Sequence, residues 1–200
     1  EEVVSNMPTA VVAASKNIET SKIVQGLFST NKFRVYTNED LIGVEICGSA
    51  KNVIAIAAGF CDGFGYGDNT KSALITRGIK EVARLGLKSG AKFETFFGLA
   101  GIGDIIVTCG SIHSRNRKLG ERIGRGMTLG NAVGKSHMVV EGVKSAFSIK
   151  RLSEKYEIEM PICNSVYKVL YENADPVEEV NTLMTRNLKS ESFYSSSVLD

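Results

Sequence analysis

Histidine is scarce in this chain and its cysteines are unpaired, which removes two kinds of chemistry at the start. His113 and His137 are the only histidines in 200 residues and stand at no ligand-like spacing to any cysteine, so no zinc site is expected. Cys47, Cys61, Cys109 and Cys163 are far apart and form no CxxC pair. The first three lie in apolar or glycine-rich runs, where a free thiol packs as a small hydrophobe. No signal peptide is visible, so the expectation is reduced thiols in a cytoplasmic protein rather than two disulfides. An excess of one charge is missing too. With a net charge of +2 and basic residues scattered among acids, nucleic acid is not an expected partner. No stretch reads as long and apolar enough for a membrane span, and there is no internal repeat. The glycine runs Gly63-Phe-Gly-Tyr-Gly and Gly98-Leu-Ala-Gly-Ile-Gly do not match GxGxxG, and neither follows a strand, so a dinucleotide fingerprint is absent. The chain opens on Glu1-Glu2 instead of methionine, which reads as processing or truncation.

What is present suffices for a core: 43% of the residues are apolar and 23% charged. Residues 9–15 form a short apolar run, 18–29 carry a helical pattern with Ile23, Val24, Leu27 and Phe28 on one side, and 33–37 alternate. This β-α-β stretch cannot bury both faces of a sheet and reads as the remnant of a larger one. From Asp40 onward the pattern is helix after helix, so the expected class is mainly α. The expected division is a sheet remnant at 1–39, a helical region at 40–189 and a polar tail at 190–200. Residues 41–60 predict a buried central helix, because small residues run along it and no polar face interrupts it. Further helices are predicted over 70–88 with Asp68 or Asn69 as cap, just after Asp104, from Ser114 to a break at Gly124 or Gly126, and over 141–156, 161–171 and 177–187.

Lys51-Asn52 is the sharpest chemical feature. Mid-helix, with Glu45 off its face, Lys51 has no local partner; burial there would lower its pKa and suit a proton donor. The competing reading is a lysine that snorkels to solvent. Ser114-Arg115-Asn116-Arg117-Lys118 is the one dense basic cluster, at a helix start where free N–H groups and a guanidinium suit a phosphate; a solvated helix start is the alternative. Asp104 could cap a helix or hold a catalytic ammonium, and Thr108 lies one turn on, on the same face. Glu141 suits a helix first turn by its charge alone.

The stretches PTAVVAAS, FRVYTNEDLIGVEICGSAKNVIAIAAGFCDGFGYGDNTKSALITRG, GLAGIGDIIVTC, SRNRKLG, VVEGV and EMPI cover nearly the whole chain in order. Together they resemble the NAD(P)-dependent glycerol-3-phosphate dehydrogenases, of the bacterial branch by the VVEG element. The resemblance implies a Rossmann-type sheet followed by a helical domain like that of 6-phosphogluconate dehydrogenases. It implies interconversion of dihydroxyacetone phosphate and sn-glycerol 3-phosphate with NAD or NADP, feeding phospholipid synthesis. By the same resemblance Lys51 is the catalytic acid/base, and Asn52, Asp104 and Thr108 are its neighbours in the substrate site. Ser114, Arg115 and Asn116 grip the phosphate, while Arg115, Val139 and Glu141 contact the cofactor. The residue that separates NAD from NADP would lie upstream of Glu1, and without a GxGxxG turn the 200-residue chain is expected to turn over little. Two alternatives remain at this point: a related 6-phosphogluconate-like or β-hydroxyacid dehydrogenase, and a non-catalytic helical dimerisation module. Open strand edges favour self-association as a homodimer.

Overall fold

A computed structural model describes residues 2–134, 140–188 and 191. Two parallel strands, β1 (Thr9–Ala14) and β2 (Phe33–Asn38), flank helix α1 (Ile18–Phe28) and pair in register from Thr9 opposite Phe33 to Ala14 opposite Asn38. Asn17 caps α1 by accepting from the Glu19 amide. The helix meets the strands through buried Ser21 and through Gln25, whose amide donates to the Val35 carbonyl at 2.7 Å. The apolar face read from the sequence turns the other way: Ile23, Leu27 and Phe28 are all more than half exposed. The two-stranded sheet leaves that face of the helix bare.

The rest of the described chain is helical: α2 (Leu41–Gly63), α3 (Asp68–Lys88), α4 (Phe93–Phe96), a π-helical turn (Leu99–Gly103), α5 (Asp104–Gly110), α6 (Arg115–Gly124), α7 (Leu129–Gly134), α8 (Glu141–Lys155), α9 (Pro161–Tyr171) and α10 (Pro176–Met184). The mainly α expectation holds, with most helix ends within a few residues. The short α4 and α7 went unread because neither is long enough to show a period. Helix α3 starts at Gly67 with no side-chain cap, so neither Asp68 nor Asn69 plays the capping part expected of it. The tail 190–200 lies outside the described residues apart from Glu191, which takes ion pairs from Arg77 and Lys80 of α3.

Helix α2 is the axis of the body. Val53, Ile54, Ala55 and Ala58 are fully buried, and α3, α5, α6, α8 and α9 all pack against it. Each fully buried Val, Ile or Leu here contributes roughly 1.5–3 kcal/mol relative to an exposed one. This corrects the reading that no segment could span a membrane. Leu41–Gly63, with a mean hydropathy of 1.5, and Phe93–Gly110, with 1.3, are long and apolar enough. In α2 that apolar character is used inside the protein.

Two contacts fix α2 in place. At its start Asp40 is buried: one carboxylate oxygen accepts from the Gly43 amide, the other from the Lys92 amide and the Thr95 hydroxyl. Burial pulls this carboxyl upward, but those hydrogen bonds and the Lys92 charge outweigh it and leave its pKa below the ordinary value. Toward its end α2 meets α6 backbone to backbone. A Cβ on Gly59 would lie 2.1 Å from the Arg117 carbonyl, and one on Gly120 would lie 2.0 Å from the Ile56 carbonyl. Gly63 and Gly124 repeat the contact one turn on. Only glycines allow this approach, and it sets the start of α6 beside the middle of α2.

A second buried carboxylate holds the far side of the body. Glu81 of α3 accepts from the Ile162 and Cys163 amides at the start of α9, 2.8 and 3.2 Å away. Burial raises its pKa from an ordinary 4.5 to about 7 against the opposing pull of those amides and of Arg84. A raised carboxyl pKa adds stability that is complete below pH 4.5 and is lost as pH climbs through about 7. The melting-temperature difference between wild type and Glu81→Gln should therefore move against wild type from pH 5 to pH 8. A difference independent of pH would refute this.

Candidate active site

Lys51 sits near the middle of α2, and its Nζ donates to Asp104 Oδ2 at 2.7 Å. The lysine is therefore neither isolated nor sunk in apolar surroundings, as its helix neighbours suggested. Its side chain is 26% exposed and that of Asp104 37%, so the pair opens toward solvent. The partner could not be found on the lysine's own helix because it stands 53 residues later in the chain.

The π-helical turn explains how Asp104 arrives there. Such turns insert a residue into a helix and re-aim the segment beyond it. The turn packs tightly, since a Cβ on Gly101 would lie 2.2 Å from the Phe96 carbonyl. Asp104 then opens α5 without capping it, which leaves its carboxylate for Lys51. The Thr108 hydroxyl donates to the Asp104 carbonyl oxygen at 2.6 Å and reaches its Oδ1 at 3.3 Å. Of the two readings of Asp104, holder of an ammonium and helix cap, the geometry supports the first.

A chain of amides forms the next wall. Asn52 is buried beside Lys51; its Nδ2 donates to the Gly48 carbonyl, and its Oδ1 accepts from Asn116 Nδ2 at 2.7 Å. Asn116 Oδ1 in turn accepts from the Gly142 amide at 2.9 Å. Asn116 thus joins the middle of α2 to the first turns of both α6 and α8. Ser114 caps α6 by accepting from the Arg117 amide, with Arg115 and Glu141 exposed in the first turns of their helices. Every sequence-derived candidate except one falls in this neighbourhood. The exception, Val139, lies outside the described residues.

The sequence reading missed Asp62. Near the end of α2, this carboxylate accepts from Arg117 Nε at 2.5 Å and pairs with Lys71 of α3. A four-residue glycine spacing, Gly59 to Gly63 and Gly120 to Gly124, was the available signal that α2 and α6 meet closely enough for such a bond.

The four cysteines are free and buried. Burial pushes the Cys47 and Cys109 thiols up to about 12, as expected of cysteines used as small hydrophobes.

The described chain is thus a parallel strand pair followed by helices around an apolar axis, with an ammonium–carboxylate pair open at one side. A crystal structure of a glycerol-3-phosphate dehydrogenase from Coxiella burnetii superposes with a TM-score of 0.90 at 43% identity, covering 92% of this chain and 57% of that one. A Saccharomyces cerevisiae glycerol-3-phosphate dehydrogenase shares the fold, with a TM-score of 0.81 at 24% identity. The chain belongs to the family described as the NAD-dependent glycerol-3-phosphate dehydrogenase C-terminus, whose model matches residues 40–181. The glycerol-3-phosphate dehydrogenase (NAD(P)+) of Clostridium acetobutylicum is 55% identical over 97% of this chain, and that of Salinibacter ruber 54% over 96%. The chain spans 58% and 56% of the lengths of those two relatives.

Proposed function

We propose that this chain carries the substrate half of the active site of a glycerol-3-phosphate dehydrogenase, which interconverts dihydroxyacetone phosphate and sn-glycerol 3-phosphate with NAD or NADP. The observation that carries the reading is the Lys51–Asp104 pair, open to solvent and flanked by the capped start of α6. As charge builds on the ketone oxygen during reduction, the Lys51 ammonium stabilises it and then supplies the proton. Asp104 aims the ammonium, and Thr108 steadies Asp104. Ser114 and Arg115 offer the phosphate a helix start and a guanidinium, fixing a small substrate by its far end. Asn52 and Asn116 spend their polar atoms largely on each other and on backbone groups, so their part is to position more than to ligate.

The residues present also fit an anionic part of a dinucleotide. Asn116 ties the first turns of α6 and α8 together, which brings two helix starts and the exposed Arg115 guanidinium to one place, a suitable setting for a phosphate, while the exposed Glu141 carboxylate is suited to accept from a hydroxyl group. Arg115 and Glu141 would hold the cofactor on this side, and Val139, outside the described residues, is kept as a third contact; the nicotinamide, when bound, supplies the hydride. Four free cysteines suit a reducing cytoplasmic setting, and the open strand edges and bare α1 face suit self-association into a homodimer.

A substrate panel on the full-length gene product tests the reading. NADH or NADPH oxidation is expected with dihydroxyacetone phosphate. Reverse reduction of either cofactor is expected with sn-glycerol 3-phosphate, but not with 6-phosphogluconate or a phosphate-free β-hydroxyacid. A higher kcat/KM for either of the latter two would move the chain to another dehydrogenase class.

A further inference from the structure

The Lys51 pair and the α6 start account for the substrate, but an exposed arginine at a helix tip must also be held to the accuracy that a phosphate grip demands. We infer that Asp62 is a positioning residue for the phosphate subsite, acting through Arg117. The inference rests on the reading of Ser114 and Arg115 as that subsite and deepens it.

Arg115 lies between two anchored neighbours. Asn116 is tied on one side to Asn52 and Gly142. On the other side, the Arg117 side chain reaches back to Asp62, while its backbone amide donates to Ser114 Oγ. The Arg117 carbonyl also rests where a Cβ of Gly59 would be, so this residue is fixed by side chain, amide and carbonyl together. Asp62 and Arg117 are 13% and 15% exposed at their side chains, so water competes weakly for the bond. The carboxylate belongs to α2, the helix that carries Lys51. Phosphate grip and proton donor are thereby referred to one rigid element, and the distance between them is the distance a substrate must bridge. A second cation, Lys71, shares Asp62 from α3 but does not touch α6 through it.

A purely structural Asp62 would weaken the whole body and depress the use of every substrate alike. A positioning Asp62 affects only substrates that use the phosphate grip. The full-length gene product is therefore compared as wild type, Asp62→Asn and Lys71→Met, with dihydroxyacetone phosphate and with phosphate-free dihydroxyacetone. In Asp62→Asn, kcat/KM for the phosphorylated ketone is expected to fall about 10- to 100-fold, mainly through KM, the size of effect that a misplaced binding group produces. The value for dihydroxyacetone is expected to hold, so the preference for phosphate collapses. Lys71→Met should keep that preference. Equal losses on both ketones, or no loss, overturn the inference. If Asp62→Asn is unfolded at the assay temperature, Arg117→Met breaks the same bond from the other side and must show the same split. A wild type that does not prefer the phosphorylated ketone would instead refute the phosphate reading on which the inference stands.

Discussion

Replacing Lys51 by methionine in the full-length gene product should lower kcat for dihydroxyacetone phosphate by about 10²–10⁴-fold, the usual weight of a positioned acid or base. Methionine keeps most of the side-chain length and its packing along α2 while removing the ammonium that meets Asp104. The fold should survive, because the apolar axis owes its burial to Val53, Ile54, Ala55 and Ala58 and not to Lys51. Circular dichroism and the melting temperature provide the control. KM should move less than kcat, since the charge on the ketone oxygen develops only in the transition state. Unchanged kcat with altered stability or association would return the molecule to the reading of a helical dimerisation module.

The second large effect is on stability and comes from a single methyl group. Gly120→Ala would set a Cβ 2.0 Å from the Ile56 carbonyl oxygen and 3.0 Å from the Gly59 Cα. These are backbone atoms on the central helix, so no rotamer change relieves the clash, and α6 must move away. Overpacking typically costs ~1–3 kcal/mol, and a backbone clash belongs at or above the upper end of that range. For a body of this size, the melting temperature should fall by roughly 6–12 °C. Gly26→Ala in α1, where no atom beyond the helix's own adjoining backbone lies within 4 Å of the new methyl, is the matched control. It should be neutral or slightly stabilising, because alanine is the better helix former. Equal melting temperatures for the two variants would show that α2 and α6 are not seated as described.

These expectations depend on features of unequal legibility in the sequence. The order of elements was readable, since long apolar periods, Pro161, Pro176 and the cap at Ser114 are local signals. The importance of Lys51 was readable from its odd place in an apolar helix, but its partner was not. A carboxylate 53 residues away is brought near by helix packing and by a π-helical turn, neither of which has a periodic signature. Lys51 looked buried because its neighbours are; which side of a helix meets solvent depends on how many others surround it. The Asn52–Asn116–Gly142 chain escaped for the same reason, and the apolar face of α1 misled because the helix meets its strands through Ser21 and Gln25 instead.

The deep burial of most of α2 also sets a problem of timing. Helices α3, α5, α6, α8 and α9, which surround it, are all encoded after it. A ribosome making this chain releases a largely apolar, 23-residue helix before any of its cover exists. The roughly eighty residues from its end to the start of α8 take about 4–16 s to synthesise at ~5–20 residues per second. During that interval the nascent chain presents a segment with the length and hydropathy of a membrane span, whose apolar surface lacks its partner helices. The helix that organises the finished protein must thus wait longest for the partners that enclose it, since α8 and α9 come last among them.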